Sequence, residues 1–171
     1  MGQSVVFTFI GRDQPGLVEK LSTTVADYGG NWLESRMSQL SGQFAGVVRV
    51  AVAPEQQDAL CGALTALDSH GLTIVCQASD TDSATDSGLF LHIVGNDRPG
   101  IVREVSRALA LQQINVVDMH TEITSAPMTG DPLFEASAEI QVPEHVALDA
   151  LEDALEDISD QLSVEIDLKR P

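Results

Sequence analysis

An internal repeat constrains this sequence more than any other feature. The segment Gly-Arg-Asp-Gln-Pro-Gly-Leu-Val at 11–18 returns as Gly-Asn-Asp-Arg-Pro-Gly-Ile-Val at 95–102. The offset of 84 residues continues without a gap, so that Asn31 matches Asn115. In a chain of 171 residues, a repeat of this length predicts two copies of one fold.

The segment between the copies has the composition of a linker. Residues 78–88 are almost all small, polar or acidic, which is typical of linkers. We therefore predict a first domain over 1–77, a linker over 78–88 and a second domain over 89–171. The second domain is strongly acidic, since it holds sixteen acidic and five basic residues out of a chain with net charge −17.

The hydrophobic pattern runs in the same order through both copies. Strand-like and helix-like patterns alternate as β-α-β-β-α-β, the order of the ferredoxin-like fold. Right-handed crossovers place both helices on one face of an antiparallel sheet. We predict an α+β fold of two such domains in tandem, with strands at 5–10, 31–39, 44–52 and 72–77, then 89–94, 115–123, 133–142 and 162–168, and with helices opening at Pro15 and Pro54 and spanning 99–112 and 144–158.

The first strand of each copy is apolar on both of its faces. Residues 5–10 are hydrophobic at nearly every position, which is typical of a strand that is covered on both sides. A domain of about 80 residues buries only ~60–65% of its surface by itself. We therefore expect the sheets to be covered by the sister domain or another subunit, with Trp32 on the face opposite Leu33 and Met37 and at an interface.

The repeated motif, Gly-x-Asp-x-Pro-Gly, falls between a strand and a helix. We expect its first glycine to turn the chain, its proline to begin the helix and its second glycine to let another group approach. Free N–H groups at a helix start attract carboxylates, and an asparagine amide near the loop both donates and accepts. An amino-acid site and simple capping of a tight turn both explain this pattern. The predicted ligand-binding residues are Asp13, Gln14, Pro15, Gly16, Leu17, Val18, Asn31, Asp97, Arg98, Pro99, Gly100, Ile101, Val102 and Asn115.

Both copies resemble the ACT domain family, small regulatory modules that commonly sense amino acids. The signature residues are Gly11, Asp13, Pro15, Gly16 and Asn31, followed by Gly95, Asp97, Pro99, Gly100 and Asn115. Two copies without a catalytic domain, with the hairpin segment 126–134, resemble the glycine cleavage system transcriptional repressor group. In this family, ligands bind at domain or subunit interfaces near the strand–helix loop.

The resemblance implies a regulatory protein rather than an enzyme. It implies an amino-acid ligand, for which glycine is a candidate, a protein partner such as a transcription factor, and a homo-oligomer. The alternative is a regulatory subunit of an amino-acid metabolic enzyme. Nine basic residues against twenty-six acidic ones argue against direct nucleic-acid binding.

No other residue pattern predicts a reaction or a cofactor. We predict no catalytic residue, no metal and no cofactor, although Asp118, His120 and Glu122 share one strand face in a way that a metal site would require. Cys61 and Cys76 lack any ligand spacing and are expected to be free, buried residues. Without an apolar run long enough for a membrane or a visible signal peptide, the expected location is the cytoplasm.

Overall fold

The computed structural model describes residues 4–79 and 88–170. Each repeat forms one four-stranded antiparallel sheet with its helices packed on one face, as the sequence predicts. The strand orders are β2-β3-β1-β4 and β6-β7-β5-β8. The chain divides into two compact units, 1–82 and 83–171.

The first domain contains four strands and two α-helices. Gly29 and Gly71, both at positive φ, follow α1 and the α2 region and end these helical segments. A 3₁₀ turn at Pro54–Gln56 leads into α2, and a second one at Ala66–His70 follows it. The elements are β1 (Ser4–Arg12), α1 (Leu17–Asp27), β2 (Asn31–Leu40), β3 (Gln43–Ala51), α2 (Gln57–Thr65) and β4 (Leu72–Ser79).

The second domain repeats this arrangement with a longer hairpin. Its second helix starts four residues later than predicted, because the main chain first forms a turn in which Val146 N–H donates to the Pro143 carbonyl oxygen. That helix also runs on past the predicted end, to a left-handed Ser163. The elements are β5 (Gly88–Asn96), α3 (Ile101–Leu111), β6 (Asn115–Ser125), β7 (Pro132–Gln141), α4 (Leu148–Leu162) and β8 (Val164–Lys169).

Each domain has its own hydrophobic core between sheet and helices. In the first domain Phe7 of β1 is fully buried against Leu21 of α1 and Leu60 of α2. In the second, Leu91 of β5 and Leu151 of α4 occupy the corresponding layer. Each buried side chain of this size contributes roughly 1.5–3 kcal/mol of transfer free energy.

The predicted linker is shorter at both ends than its composition indicates. Ala78 and Ser79 belong to β4, because they pair with Val5 and Ser4 of β1. Gly88 belongs to β5 and pairs with Gln141. Main-chain pairing needs no large side chain, so small polar residues at a strand end are compatible with it. The rest of the predicted linker, 80–87, lies outside the described residues.

The predicted orientation of Trp32 is wrong. A β-bulge between Trp32 and Glu34 shifts the register of β2 by one residue, which reverses the side-chain alternation. Trp32 therefore lies on the helix side together with Met37, and its ring packs edge-on against Phe7 with centroids 6.2 Å apart. Leu33, at the bulge, is exposed instead.

The prediction of free cysteines is also wrong. Cys61 of α2 and Cys76 of β4 form a disulfide, with a Cα–Cα distance of 5.7 Å. The physical reason is tertiary: α2 packs directly on β4, which brings two residues 15 positions apart to the distance that a disulfide requires.

Within each described domain the sheet is covered on one face only. Along β1, Val5, Phe7 and Phe9 are buried, whereas Thr8 and Ile10 on the other face are exposed. Packing of the helices thus explains why one face of β1 is apolar, and it does not explain why the other face is apolar too. No helix in the described part of the chain is long and apolar enough to cross a membrane.

Candidate functional site

The repeated motif forms the connection between the first strand and the first helix of each domain. In the first domain the main-chain N–H of Asp13 donates to the carbonyl oxygen of Gly42, at the β2–β3 turn, over 2.9 Å. In the second, Asp97 N–H donates to the Pro132 carbonyl oxygen over the same distance. Each loop is therefore tied to the neighbouring hairpin by its main chain.

The two glycines of each motif have different structural roles. Gly11 lies inside β1, where a Cβ would sit 2.7 Å from the Gly71 carbonyl oxygen; at Gly95 it would sit 2.4 Å from a methyl carbon of Val164. The first glycine therefore permits close packing of strands and does not turn the chain, contrary to expectation. Gly16 and Gly100, with φ of 88° and 103°, adopt the left-handed conformation that makes the turn into the helix.

The start of α1 presents unpaired main-chain donors. The first helical bond runs from Lys20 N–H to the Gly16 carbonyl oxygen at 3.0 Å, so the N–H groups before it lack a partner within the helix. Gly16, the N-cap residue, has no side chain with which to cap them. Leu17 anchors the helix in the core, while Val18 stays 43% exposed. The geometry places these donors toward the loop, where an anion is favoured.

A cleft of about 470 Å³ opens beside this helix start. A volume of this order accommodates a small-molecule ligand. Its wall includes residues of the predicted ligand-binding loop. It also includes residues from the next two turns of α1, which the sequence analysis did not predict as ligand-binding although they follow the motif at helical spacing. The lining residues are Gln14, Pro15, Gly16, Leu17, Glu19, Lys20, Thr23 and Thr24.

The equivalent loop in the second domain has a different chemistry. At the repeat offset of 84, Glu19 and Lys20 correspond to Arg103 and Glu104, so the order of charges is reversed. Arg103 pairs with Glu104 at 2.9 Å, and its guanidinium lies near Gly100. Arg98 donates to the Gln161 carbonyl oxygen at the end of α4 over 3.1 Å. The two loops share a main-chain shape but not a binding surface.

The structure separates the predicted asparagines from the loop of their own domain. Asn31 pairs with Ala51, which in turn pairs with Ser4 at the start of β1, whereas the motif follows the end of β1. Asn115 likewise pairs with Gln141, which in turn pairs with Gly88 at the start of β5. The expectation that Asn31 and Asn115 lie near their own loops is wrong, because α1 and α3 carry the chain back along the sheet.

The strand residues considered as metal ligands do share a face but do not converge. Asp118, His120 and Glu122 alternate along the open side of β6, opposite Glu139, Ser137 and Glu135. In the described part of the chain no group of three His, Cys, Asp or Glu side chains is arranged to hold a metal ion.

Comparison with known proteins identifies the motif. Residues 3–77 match the family model of the ACT domain. The first repeat is an ACT domain. The second repeat has the same strand order and the same loop geometry, so the chain as a whole has a tandem ACT fold.

Two solved structures share this tandem ACT fold over the full length. An unknown protein from Galdieria sulphuraria is 29% identical, with a TM-score of 0.84, covering 100% of this chain and 99% of that one. A candidate glycine cleavage system transcriptional repressor is 17% identical, with a TM-score of 0.73, covering 99% and 97%. At 17% identity the second likeness establishes the fold alone. Among curated proteins, none matches the sequence.

Proposed function

We propose that this protein is an amino-acid-responsive regulator, similar in role to a glycine cleavage system transcriptional repressor, that acts through a protein partner and not by binding DNA. The observation that carries the proposal is the polar cleft beside the uncapped start of α1, in an ACT domain. The full-length fold likeness to a candidate repressor supports the choice of regulatory role.

The cleft provides complementary groups for both ends of an α-amino acid. The ligand carboxylate accepts from the free N–H groups at Leu17 and Val18, where the helix dipole favours negative charge. The ammonium group is paired with the carboxylate of Glu19, which lines the cleft; Asp13, in the loop before the helix, is the second carboxylate that the proposal assigns to it. The second loop lacks this arrangement because an arginine replaces Glu19. The proposal therefore assigns the ligand to the first domain.

An asparagine from a second copy would complete the site. Within one domain, α1 carries the chain away from the loop to Asn31 at the opposite end of the sheet. When two such helices pack antiparallel, the end of one lies beside the start of the other. The amide of Asn31 of one copy would then reach the loop of its partner, and the proposal therefore includes a homo-oligomer.

The charge of the chain favours a protein partner over DNA. Phosphate contacts require clustered Lys and Arg side chains, and α4 contains no basic residue among its fifteen. Its exposed face is acidic instead, which suits a basic protein surface. A transcription factor is the partner that this role requires; recovery of a metabolic enzyme as the specific partner would favour the alternative function.

Ligand screening of the full-length protein tests the proposal. Thermal unfolding is followed with each of the twenty amino acids, glycine first, because a ligand that binds only the folded state raises Tm. For the amino acid that does so, Glu19→Gln should weaken binding about tenfold, since a charge-assisted hydrogen bond is lost. Asp27→Asn, at the other end of the same helix, is the matched control and should leave affinity unchanged. Absence of any stabilising amino acid contradicts the proposal.

A further inference from the structure

A cleft of about 470 Å³ opens in the second domain, at the end of the sheet where β5 begins and β7 ends. Leu89 of β5 is buried there, whereas Val146 and Leu148 are only half-buried, so packing against the core accounts for part of each side chain. Clefts of this size with mostly apolar walls and few polar groups are typical of small-molecule sites. The apolar lining residues are Leu89, Val142, Pro143, Val146 and Leu148.

The first domain builds the equivalent turn without apolar side chains. There Gln56 N–H donates to the Ala53 carbonyl oxygen over 2.9 Å, as Val146 N–H donates to the Pro143 carbonyl oxygen over 3.0 Å in the second domain. By this match Gln56 takes the place of Val146, and the whole segment 55–58 reads Glu-Gln-Gln-Asp. The turn into the second helix therefore does not require the apolar residues that line the cleft.

Two opposite charges complete the lining of the cleft. Arg170 follows the end of β8, and Glu144 lies in the connection from β7 to α4. Both side chains are exposed, and among the described residues neither forms a hydrogen bond or an ion pair. A guanidinium beside an apolar wall suits a carboxylate that is joined to a hydrocarbon group, because its planar fork can hold both carboxylate oxygens.

We propose that this cleft is a ligand site of the second domain, which binds a small carboxylic acid with a branched apolar side chain. The apolar group lies against Val146 and Leu148, and the carboxylate accepts hydrogen bonds from Arg170. α-Amino acids and 2-oxo acids share this chemistry, and they differ in the ammonium group that Glu144 is able to pair with. The inference goes beyond the proposed function, because it uses none of the residues that line the cleft beside α1.

Isothermal titration of the full-length protein with leucine and with 4-methyl-2-oxopentanoate tests the site. The two probes have the same isobutyl group and carboxylate and differ only at the α-carbon. Arg170→Gln should weaken binding of the tighter probe about fivefold, since an exposed ion pair is lost. Lys169→Gln removes the same charge one residue earlier, outside the lining of the cleft, and is the matched control that should leave affinity unchanged.

Two further variants test the apolar wall and the class of ligand. Val146→Gln introduces the residue of the first repeat and should weaken binding about fivefold, because contact with the isobutyl group is lost. If circular dichroism shows that this variant is unfolded, Arg170→Gln, at an exposed position, still decides the question. Glu144→Gln distinguishes the probes: a loss of leucine affinity assigns an amino acid, whereas unchanged affinity means that the site recognises the carboxylate and the apolar group alone.

Failure of this site and failure of the proposed function give different results. Absence of binding by both probes would overturn the site, and so would equal losses from Arg170→Gln and Lys169→Gln, which would reflect the general charge of the chain. Weakening by Glu19→Gln in place of Arg170→Gln would assign the probe to the cleft beside α1, so that the proposed function would stand and this site would not. Probe binding that depends on Arg170 alone would support this site whatever the outcome in the first domain.

Discussion

The main-chain N–H of Asp13 donates to the carbonyl oxygen of Gly42, and this bond ties the loop that precedes α1 to the β2–β3 turn. Asp97 and Pro132 repeat the same bond at the same distance of 2.9 Å in the second domain. Because the bond uses main-chain atoms, the Asp13 carboxylate remains available to a ligand.

The first prediction concerns the tight packing of the motif's first glycine. Gly11→Ala should lower the free energy of unfolding by about 2 kcal/mol, because the new Cβ would meet the main-chain oxygen of Gly71, which cannot move aside easily. Denaturant unfolding followed by the fluorescence of Trp32, the single tryptophan, reports on this domain. Gly62→Ala in α2 meets nothing within 4 Å and should stabilise by roughly 0.5–1 kcal/mol. Equal effects at the two positions would contradict the packing role.

The second prediction distinguishes the two loops. For an amino acid that stabilises the protein, Asp13→Ala should weaken affinity about tenfold, since a carboxylate partner of the ammonium group is removed. Asp97→Ala should leave affinity unchanged, because the second loop carries Arg103 where the first carries Glu19. Isothermal titration of both variants measures this difference. A larger loss from Asp97→Ala would move the site to the second domain.

The third prediction concerns the disulfide. Reduction of Cys61–Cys76 should lower the stability of the first domain by about 3 kcal/mol, the cost of releasing a loop of roughly 15 residues. Urea unfolding with and without dithiothreitol, again followed by Trp32, measures the change. A Cys61→Ala, Cys76→Ala variant should not respond to the reductant. Should wild type also fail to respond, the bond contributes nothing in solution.

The fourth prediction concerns nucleic acid. The purified protein should give no specific gel shift on a candidate operator at physiological salt, because its net charge of −17 repels the duplex. Addition of the partner protein should produce or alter a shift. A specific shift with this protein alone would exclude the partner-dependent mechanism.

Much of the fold could be predicted because it depends on local pattern. The repeat defines two domains, and the alternation of helix and strand periods gives the order of elements in each. The sequence predictions are wrong where the local pattern of residues fits more than one structure. The bulge at Leu33 turns Trp32 toward the core, and nothing in the sequence around it distinguishes a bulge from regular alternation. The start of α4 was placed too early because Pro143 initiates a turn instead of the helix itself.

The loop of the candidate site could be predicted from the sequence, but the residues that lie around this loop could not. The motif indicated that a helix follows it, but the prediction that its proline begins the helix is wrong: the helices begin two residues later, at Leu17 and Ile101, because the Pro-Gly pair forms the turn before them. It did not reveal that Thr23 and Thr24 line the cleft. Nor did it reveal that Asn31 belongs to the other end of the sheet, because distance along a chain says little about distance across a fold.

The sequence by itself determined the tandem ACT arrangement, the loop and the excess of negative charge, because these follow from residue order and composition. Only the tertiary structure decided which residues meet. It joined Cys61 to Cys76 through the packing of α2 on β4. It also gathered Leu89, Val146 and Arg170 at one cleft, through the pairing of β5 with β7 and β8, which connects residues far apart in the chain. Pairing between distant strands is set by burial of the whole core, which no local pattern records.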